Sequence, residues 1–363
     1  METAVENPTS FPPIVLGGRG MKVPWANVAL LIFLLTLAGS GYLGLVSGYA
    51  GAEWLLWLHG VAAYGLIILF VWKGQIILDA YRRKKRWTRE RIAFSVMLFL
   101  LLLTVVLGLL WTFNGPVYVG GFSLVSLHIY LALPMMLLLV WHVRRMKFIF
   151  KVKGTLERRL FLGTAVSAIA GILLGHVVRT GQEAAGLAGA KRRFTGSYEQ
   201  GSFSGVFPSV SWILDNPPPV NLDDWALRVE GAVARPFTLA YDQLLALPAI
   251  KQDVLLDCTG GWYTTQTWEG VPLRTVLDQA ELLGDAASIT IEAISGYRRR
   301  FALSQIDRML LAYRVDHAPL VHGHGAPLRL VIQGRRGFEW VKWVAFVRVN
   351  TTSAIWQSPL PLR

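Results

Sequence analysis

The sequence predicts an all-α membrane bundle of five transmembrane helices followed by a mostly-β α+β domain. Three observations carry this expectation. The mean hydropathy is +0.43, and 53% of residues are hydrophobic against 16% charged, too apolar for an ordinary soluble chain. Five apolar runs are long enough to cross roughly 30 Å of hydrocarbon. Beyond residue 225 the pattern changes to short alternating runs broken by Gly and Pro. A length of 363 residues allows two or three domains.

The apolar runs cover 26–46, 54–78, 92–113, 122–143 and 160–178. Pro134 lies inside the fourth, where neighbouring helices tolerate it. Gly39, Gly41 and Gly44 in the first run are expected to allow close helix approach.

Orientation follows from the loops. Residues 79–91 and 144–159 hold seven Lys or Arg each, whereas 47–53 and 114–121 hold none. By the positive-inside rule the basic loops and the N-terminus are cytoplasmic, in a multi-pass protein of the inner (cell) membrane. Helices 2 and 4 then start outside, and everything after residue 180 is extracytoplasmic, the periplasm in a Gram-negative cell. The net charge of +13 resides largely in such blocks and does not point to nucleic acid. The first 20 residues lack the basic-then-apolar pattern of a cleaved secretion signal. Cys258 is the single cysteine, so no intrachain disulfide forms.

These features divide the chain into a cytoplasmic tail (1–25), a four-helix membrane domain (26–156), a fifth transmembrane helix (157–180), a linker (181–220) rich in Gly, Ser and Ala, and a soluble domain (221–363). Strands are predicted in the stretches 225–231, 288–294, 328–334 and 344–350, and one helix over 273–283.

Four of seven histidines, His59, His128, His142 and His176, lie in apolar runs. An ionisable group in hydrocarbon is costly and marks a functional candidate. His59 and His128 sit in the first turns of helices 2 and 4, both starting outside, and so share one depth. Two neutral imidazoles on facing helices are what a b-type haem iron takes as axial ligands. Gly60, Ala62, Ala63 and Gly65 beside them leave room for a flat macrocycle. Interfacial histidines bonded to backbone are the bland alternative. His142 follows His128 by 14 residues, about four turns and about 21 Å. That spacing resembles di-haem cytochrome b bundles, but the matching position on helix 2 is Lys73. His142 and His176 are therefore further haem candidates, and the expected count is one haem b, with a second at the inner level left open. The membrane part, over about 26–150, thus resembles a bacterial cytochrome b-type anchor.

In the soluble domain, Leu255-Leu256-Asp257-Cys258-Thr259-Gly260-Gly261-Trp262 ends an apolar strand at a Gly-Gly turn. Read from the residues alone, Cys258 is a buried thiol, a nucleophile or a metal ligand. A second stretch, His324-Gly325-Ala326-Pro327-Leu328-Arg329, runs on to Gly334-Arg335-Arg336-Gly337-Phe338-Glu339-Trp340-Val341-Lys342. A third opens with Phe207-Pro208-Ser209-Val210-Ser211-Trp212. Together, over about 205–352, they resemble the molybdopterin-binding domain of the sulfite oxidase family, which includes the methionine sulfoxide reductase catalytic subunits. The resemblance implies a sulfite-oxidase-type fold, molybdenum ligated by Cys258, and pterin contacts from Ser211, His324, Arg329, Trp340, Val341 and Lys342. Where sulfite oxidases carry an arginine shortly after the cysteine, this chain has Gly260, Gly261, Trp262 and Tyr263, which leaves the substrate open. His317, His322 and His324 read alone as a zinc site.

Arg158-Arg159 before Leu160-Phe161-Leu162 looks like a twin-arginine export signal, against the plain alternative of positive-inside charge. A domain loaded with its cofactor in the cytoplasm must cross folded, which suits that signal.

The resulting expectation is a membrane-bound molybdenum oxidoreductase fused to its own haem b carrier, acting on a small-molecule substrate, with quinone or a periplasmic cytochrome as electron partner. The alternatives are a non-catalytic haem anchor whose soluble domain binds a partner or a pterin, and a zinc-binding sensor.

Overall fold

The computed structural model describes residues 25–83, 86–145, 155–212 and 215–357. The tail assigned to 1–25 falls almost wholly outside them, as do parts of both basic loops.

Five helices are long and apolar enough to cross a membrane. They are α1 (Trp25–Val46), α2 (Glu53–Arg83), α3 (Arg89–Asn114), α4 (Leu124–Arg145) and α5 (Thr155–Ala184). Four of them span more than the apolar runs read from sequence, whereas α4 starts two residues inside the run at 122–143, because Phe122 and Ser123 form a short strand. Thr88 caps α3, its Oγ1 accepting from Arg91 N at 3.3 Å. A short hairpin, β1 (Tyr118–Val119) and β2 (Phe122–Ser123), joins α3 to α4. α1 packs on α2, α2 on α5 and α3 on α4. Ala29, Phe33, Leu66, Leu101 and Leu139 form the apolar seam between them.

The glycine expectations need correction. Of the first-run glycines, Gly41 alone approaches a neighbour, with an added Cβ lying 3.2 Å from His59 Cε1, while Gly39 and Gly44 have open space around them. Gly65 is pressed against Phe33 and the Ser167 carbonyl, and Ala62 is buried in the helix seam, so both serve helix packing. Gly60 and Ala63 do border a cavity.

The stretch read as a linker is largely ordered. It carries β3 (Tyr198–Glu199), which pairs in parallel with a strand of the soluble domain. Then follow β4 (Ala226–Gly231), β5 (Phe237–Ala240), α6 (Tyr241–Leu245), β6 (Ile250–Cys258), β7 (Trp262–Pro272), α7 (Leu273–Ala280), β8 (Ser288–Ala293), β9 (Arg298–Ala302), β10 (Met309–Val315), β11 (Ala318–Pro319), β12 (Arg329–Ile332) and β13 (Val344–Asn350). The four predicted strands are β4, β8, β12 and β13. The predicted helix at 273–283 stops at Ala280, because Glu281 turns to φ +56° and Leu282 bridges to Val233.

Two sheets result. One is ordered β5-β4-β13-β8-β9, parallel only between β4 and β13. The other centres on β7, flanked by β6 on one side and by β10 and β3 on the other. β6 and β7 pair along their whole length, from Ile250↔Gly270 to Cys258↔Trp262, so Cys258 closes the strand at the turn. That turn docks on the membrane domain: a Cβ at Gly261 (φ +88°) would lie 2.5 Å from both the Trp111 ring of α3 and Val125 of α4. Only glycine satisfies both the backbone angle and that approach.

Candidate functional site

Cys258 is buried. Burial pushes its thiol up, opposed by the Gly260 N–H and by the charges of Arg336 and Lys342. Gly260 N donates to its Sγ at 3.3 Å. Around the thiol stand Phe207, Ser209, Trp262, His324, Arg329 and Lys342, lining a space of about 30 Å³. Phe207 stacks flat on His324, ring centres 3.9 Å apart, and His324 Nε2 lies 3.0 Å from Phe207 O. Residues 207–210 thus form one wall of the space beside the thiol.

Two cations, Arg329 and Lys342, border this space. Lys342 Nζ reaches Ser209 Oγ (3.1 Å), Val210 O (3.0 Å), Ser211 Oγ (3.4 Å) and Gly323 O (2.6 Å), all neutral oxygens. Arg329 is 2% exposed and donates to His324 O at 3.0 Å, while its Nε lacks a partner. Trp268 and Trp340 face its guanidinium at 4.8 and 5.5 Å. Burial, then the nearby Arg329, pushes Lys342 down to about 7. Burial alone lowers Arg329 to about 9, countered by Cys258. His324 falls to about 4, chiefly through burial, with Arg329 and Lys342 adding to it. A buried guanidinium whose bonded partner is a neutral carbonyl is expensive, and Arg329 together with the part-buried Lys342, on which Asp215 also acts, forms a donor set that fits a bound anionic group. Guanidinium and ammonium are the side chains that take phosphate.

Of the residues expected at the site, Cys258, His324, Arg329 and Lys342 come together. Ser211, Trp340 and Val341 do not line the space. Ser211 meets the Lys342 ammonium, Trp340 backs Arg329, and Val341 O accepts from Leu330 N at 2.8 Å. The three histidines read as a zinc site do not gather: His322 Nε2 lies 3.0 Å from Pro217 O, and no cluster of three metal-binding side chains occurs among the described residues.

Sequence reasoning missed the group that holds the cysteine turn. Asp257, 2% exposed, accepts from Arg336 Nη1, Ser197 Oγ (2.7 Å), Thr195 Oγ1 (2.7 Å) and Arg193 Nε (3.1 Å). Removing one partner of such a buried pair costs about 3–5 kcal/mol. Arg336 also donates to Cys258 O at 3.3 Å. Arg193, Thr195 and Ser197 come from the stretch between α5 and β3. The same stretch grips the membrane domain: Trp111 Nε1 donates to Gly196 O at 2.9 Å, and Tyr198 Oη donates to Trp111 O at 2.7 Å.

Below that contact, the helices border a partly open cavity of about 900 Å³ lined by His59, His128, Gly60, Ala63, Tyr64, Arg192 and His176. The rings of His59 and His128 lie 6.1 Å apart, centre to centre. Two imidazoles joined through one nitrogen each to a single metal at about 2 Å place their centres about 6 Å apart. The hydrogen bonds fix the tautomers. His128 Nδ1 lies 2.8 Å from Thr104 O, which only accepts. His59 Nδ1 lies 3.1 Å from Ser40 Oγ, whose own proton goes to Thr36 O at 2.6 Å. Both Nδ1 atoms therefore donate, and each Nε2 keeps its lone pair. Cavity and donor set would suit a flat macrocycle whose metal takes two imidazole nitrogens. His142 does not line the cavity; it packs on Phe94 at 5.3 Å.

Residues 215–356 match the family model described as oxidoreductase molybdopterin binding domain. Over these residues the soluble part matches a molybdopterin-binding oxidoreductase domain, in line with the expectation of a molybdopterin-dependent enzyme.

Among curated relatives, the chain is 29% identical over 147 residues to the protein-methionine-sulfoxide reductase catalytic subunit MsrP of Gluconobacter oxydans (strain 621H), covering 34% of this chain and 46% of that protein. It is 27% identical over 172 residues to the NADH nitrate reductase of Spinacia oleracea, covering 38% of this chain and 19% of that protein. A solved structure, the sulfane dehydrogenase SoxCD from Paracoccus pantotrophus, aligns at TM-score 0.36 and 24% identity over 37% of this chain and 40% of that one. The chain spans less than half the length of the curated relatives named here.

Proposed function

We propose that this protein is a membrane-bound molybdenum oxidoreductase that carries its own haem b and exchanges electrons with quinone or a periplasmic cytochrome. The observation that carries the proposal is the seating of the Cys258 turn on the outer end of α3, directly above the two-histidine cavity. Molybdenum–molybdopterin supplies two-electron oxo transfer and haem b supplies one-electron transfer when bound. Cys258 is the metal ligand, Arg329 and Lys342 neutralise the phosphate of the pterin, and His59 and His128 hold the haem iron. Trp262 and Phe207 keep water from the thiol. Because Phe207 lies flat on His324, admitting a pterin requires the 207–211 segment to move off that ring. Arg193 binds Asp257 while its neighbour Arg192 lines the histidine cavity, so one short segment spans the two centres. The substrate class is a small oxo donor or acceptor, as the names of the relatives suggest for those proteins. The test is the molybdenum and haem content of purified full-length protein, with haem reoxidation followed after adding methionine sulfoxide or nitrate to reduced protein, and haem reduction followed after adding sulfite to oxidised protein. Protein free of molybdenum and unreactive with all three sinks the proposal.

The same proposal places the soluble domain outside the cell membrane, exported as a folded unit through Arg158-Arg159. Arg158 is exposed near the start of α5; the side chain of Arg159 lies outside the described residues. Arg158→Lys with Arg159→Lys preserves the charge, and with it the positive-inside term, but not a receptor-read guanidinium pair. The double variant is expected to retain its soluble domain in the cytoplasm. Protease accessibility on spheroplasts reads the outcome, and normal cleavage beyond residue 180 refutes the export route.

A further inference from the structure

Arg192 follows α5 and precedes β3, yet its side chain lines the intramembrane cavity that His59 and His128 share. Nη1 donates to Thr112 Oγ1 of α3 at 2.9 Å, a neutral partner. The groups that act on its charge are the hydroxyls of Tyr198 and Tyr64, and burial works against that charge. Glu183 on the same rim is taken by Arg179 at 3.0 Å. The cavity therefore has a part-buried cation at its outer edge and two lone-pair nitrogens in its middle. A macrocycle ligated by the two histidines carries carboxylates on its polar edge, and that edge belongs at the water-facing end. We infer that Arg192 is the counter-charge for those carboxylates, so that the segment docking the molybdenum domain also caps the haem.

This inference rests on the haem assignment to His59 and His128. Its physical consequence is a redox one. A cation beside the macrocycle favours the form with the extra electron. Full-length wild-type protein, Arg192→Gln and Arg192→Lys are titrated potentiometrically in detergent, with haem absorbance as the readout. At a fixed ambient potential, Arg192→Gln is expected to lower the reduced-to-oxidised ratio about tenfold, about 59 mV for a one-electron couple. Arg192→Lys keeps the charge and is expected to stay near wild type. An unchanged midpoint in Arg192→Gln overturns the inference; that is also the result if Arg192 meets a lipid phosphate instead. Loss of haem from both variants assigns Arg192 a structural role and overturns it too. Wild-type protein without haem removes the haem assignment itself, an outcome visible before any variant is compared.

Discussion

Replacing Cys258 with serine is expected to abolish turnover and to deplete molybdenum, while leaving the fold in place. The metal needs a thiolate, and a serine hydroxyl stays neutral and hard where molybdenum takes soft sulfur. The fold survives because serine matches the size of cysteine and the backbone around it is independently fixed. Cys258 pairs with Trp262 across the hairpin, and Asp257 is gripped by four donors. The Gly260 N–H that donates to Sγ finds a hydroxyl oxygen in its place. The stability change is therefore about 1 kcal/mol, the scale of one exchanged hydrogen bond. Three measurements separate the effects: molybdenum by elemental analysis, turnover with an oxo substrate, and thermal unfolding. Wild-type turnover in Cys258→Ser refutes the ligand role. Unfolded protein leaves the loss uninterpretable as chemistry, so Cys258→Ala with the same three measurements serves as the second arm.

How much of this was legible in the sequence depends on how local each signal is. The strands β4, β8, β12 and β13 were visible because alternation repeats every two residues and needs no partner. The pairing depth of His59 and His128 was visible because both helices start on the same side. Their tautomers were not, since Ser40 and the Thr104 carbonyl belong to other helices. Asp257 was passed over beside its conspicuous neighbour. Its partners lie 60 to 79 residues away in sequence, and three of them sit in a stretch whose Gly, Ser and Ala content reads as a spacer. Arg192 was hidden for the same reason. Nor did composition announce that Phe207 lines the space beside the thiol, because stacking on His324 joins residues 117 apart. In α7 the apolar spacing runs past Ala280, and only the positive φ of Glu281 and the bridge from Leu282 to Val233 show where the helix stops.

His59→Ala and His128→Ala are each expected to remove the low-spin b-type absorbance entirely. Under the proposed assignment each would supply one imidazole nitrogen to the haem iron. The two rings face one another 6.1 Å apart, each backed by a glycine of the adjoining helix. An added Cβ at Gly108 would lie 3.1 Å from His128 Nδ1, and one at Gly41 3.2 Å from His59 Cε1, so neither ring has room to retreat. His176 borders the cavity from an exposed position on α5, so His176→Ala is expected to retain the spectrum. His142 packs on Phe94 away from the cavity, and where a partner histidine would stand on α2 the chain has Lys73. His142→Ala is therefore expected to keep the full signal. Reduced-minus-oxidised difference spectra, normalised to protein, read all four variants. Loss of half the haem in His142→Ala would establish a second, inner haem and overturn the single-haem assignment. Full haem in both His59→Ala and His128→Ala would remove the axial pair altogether.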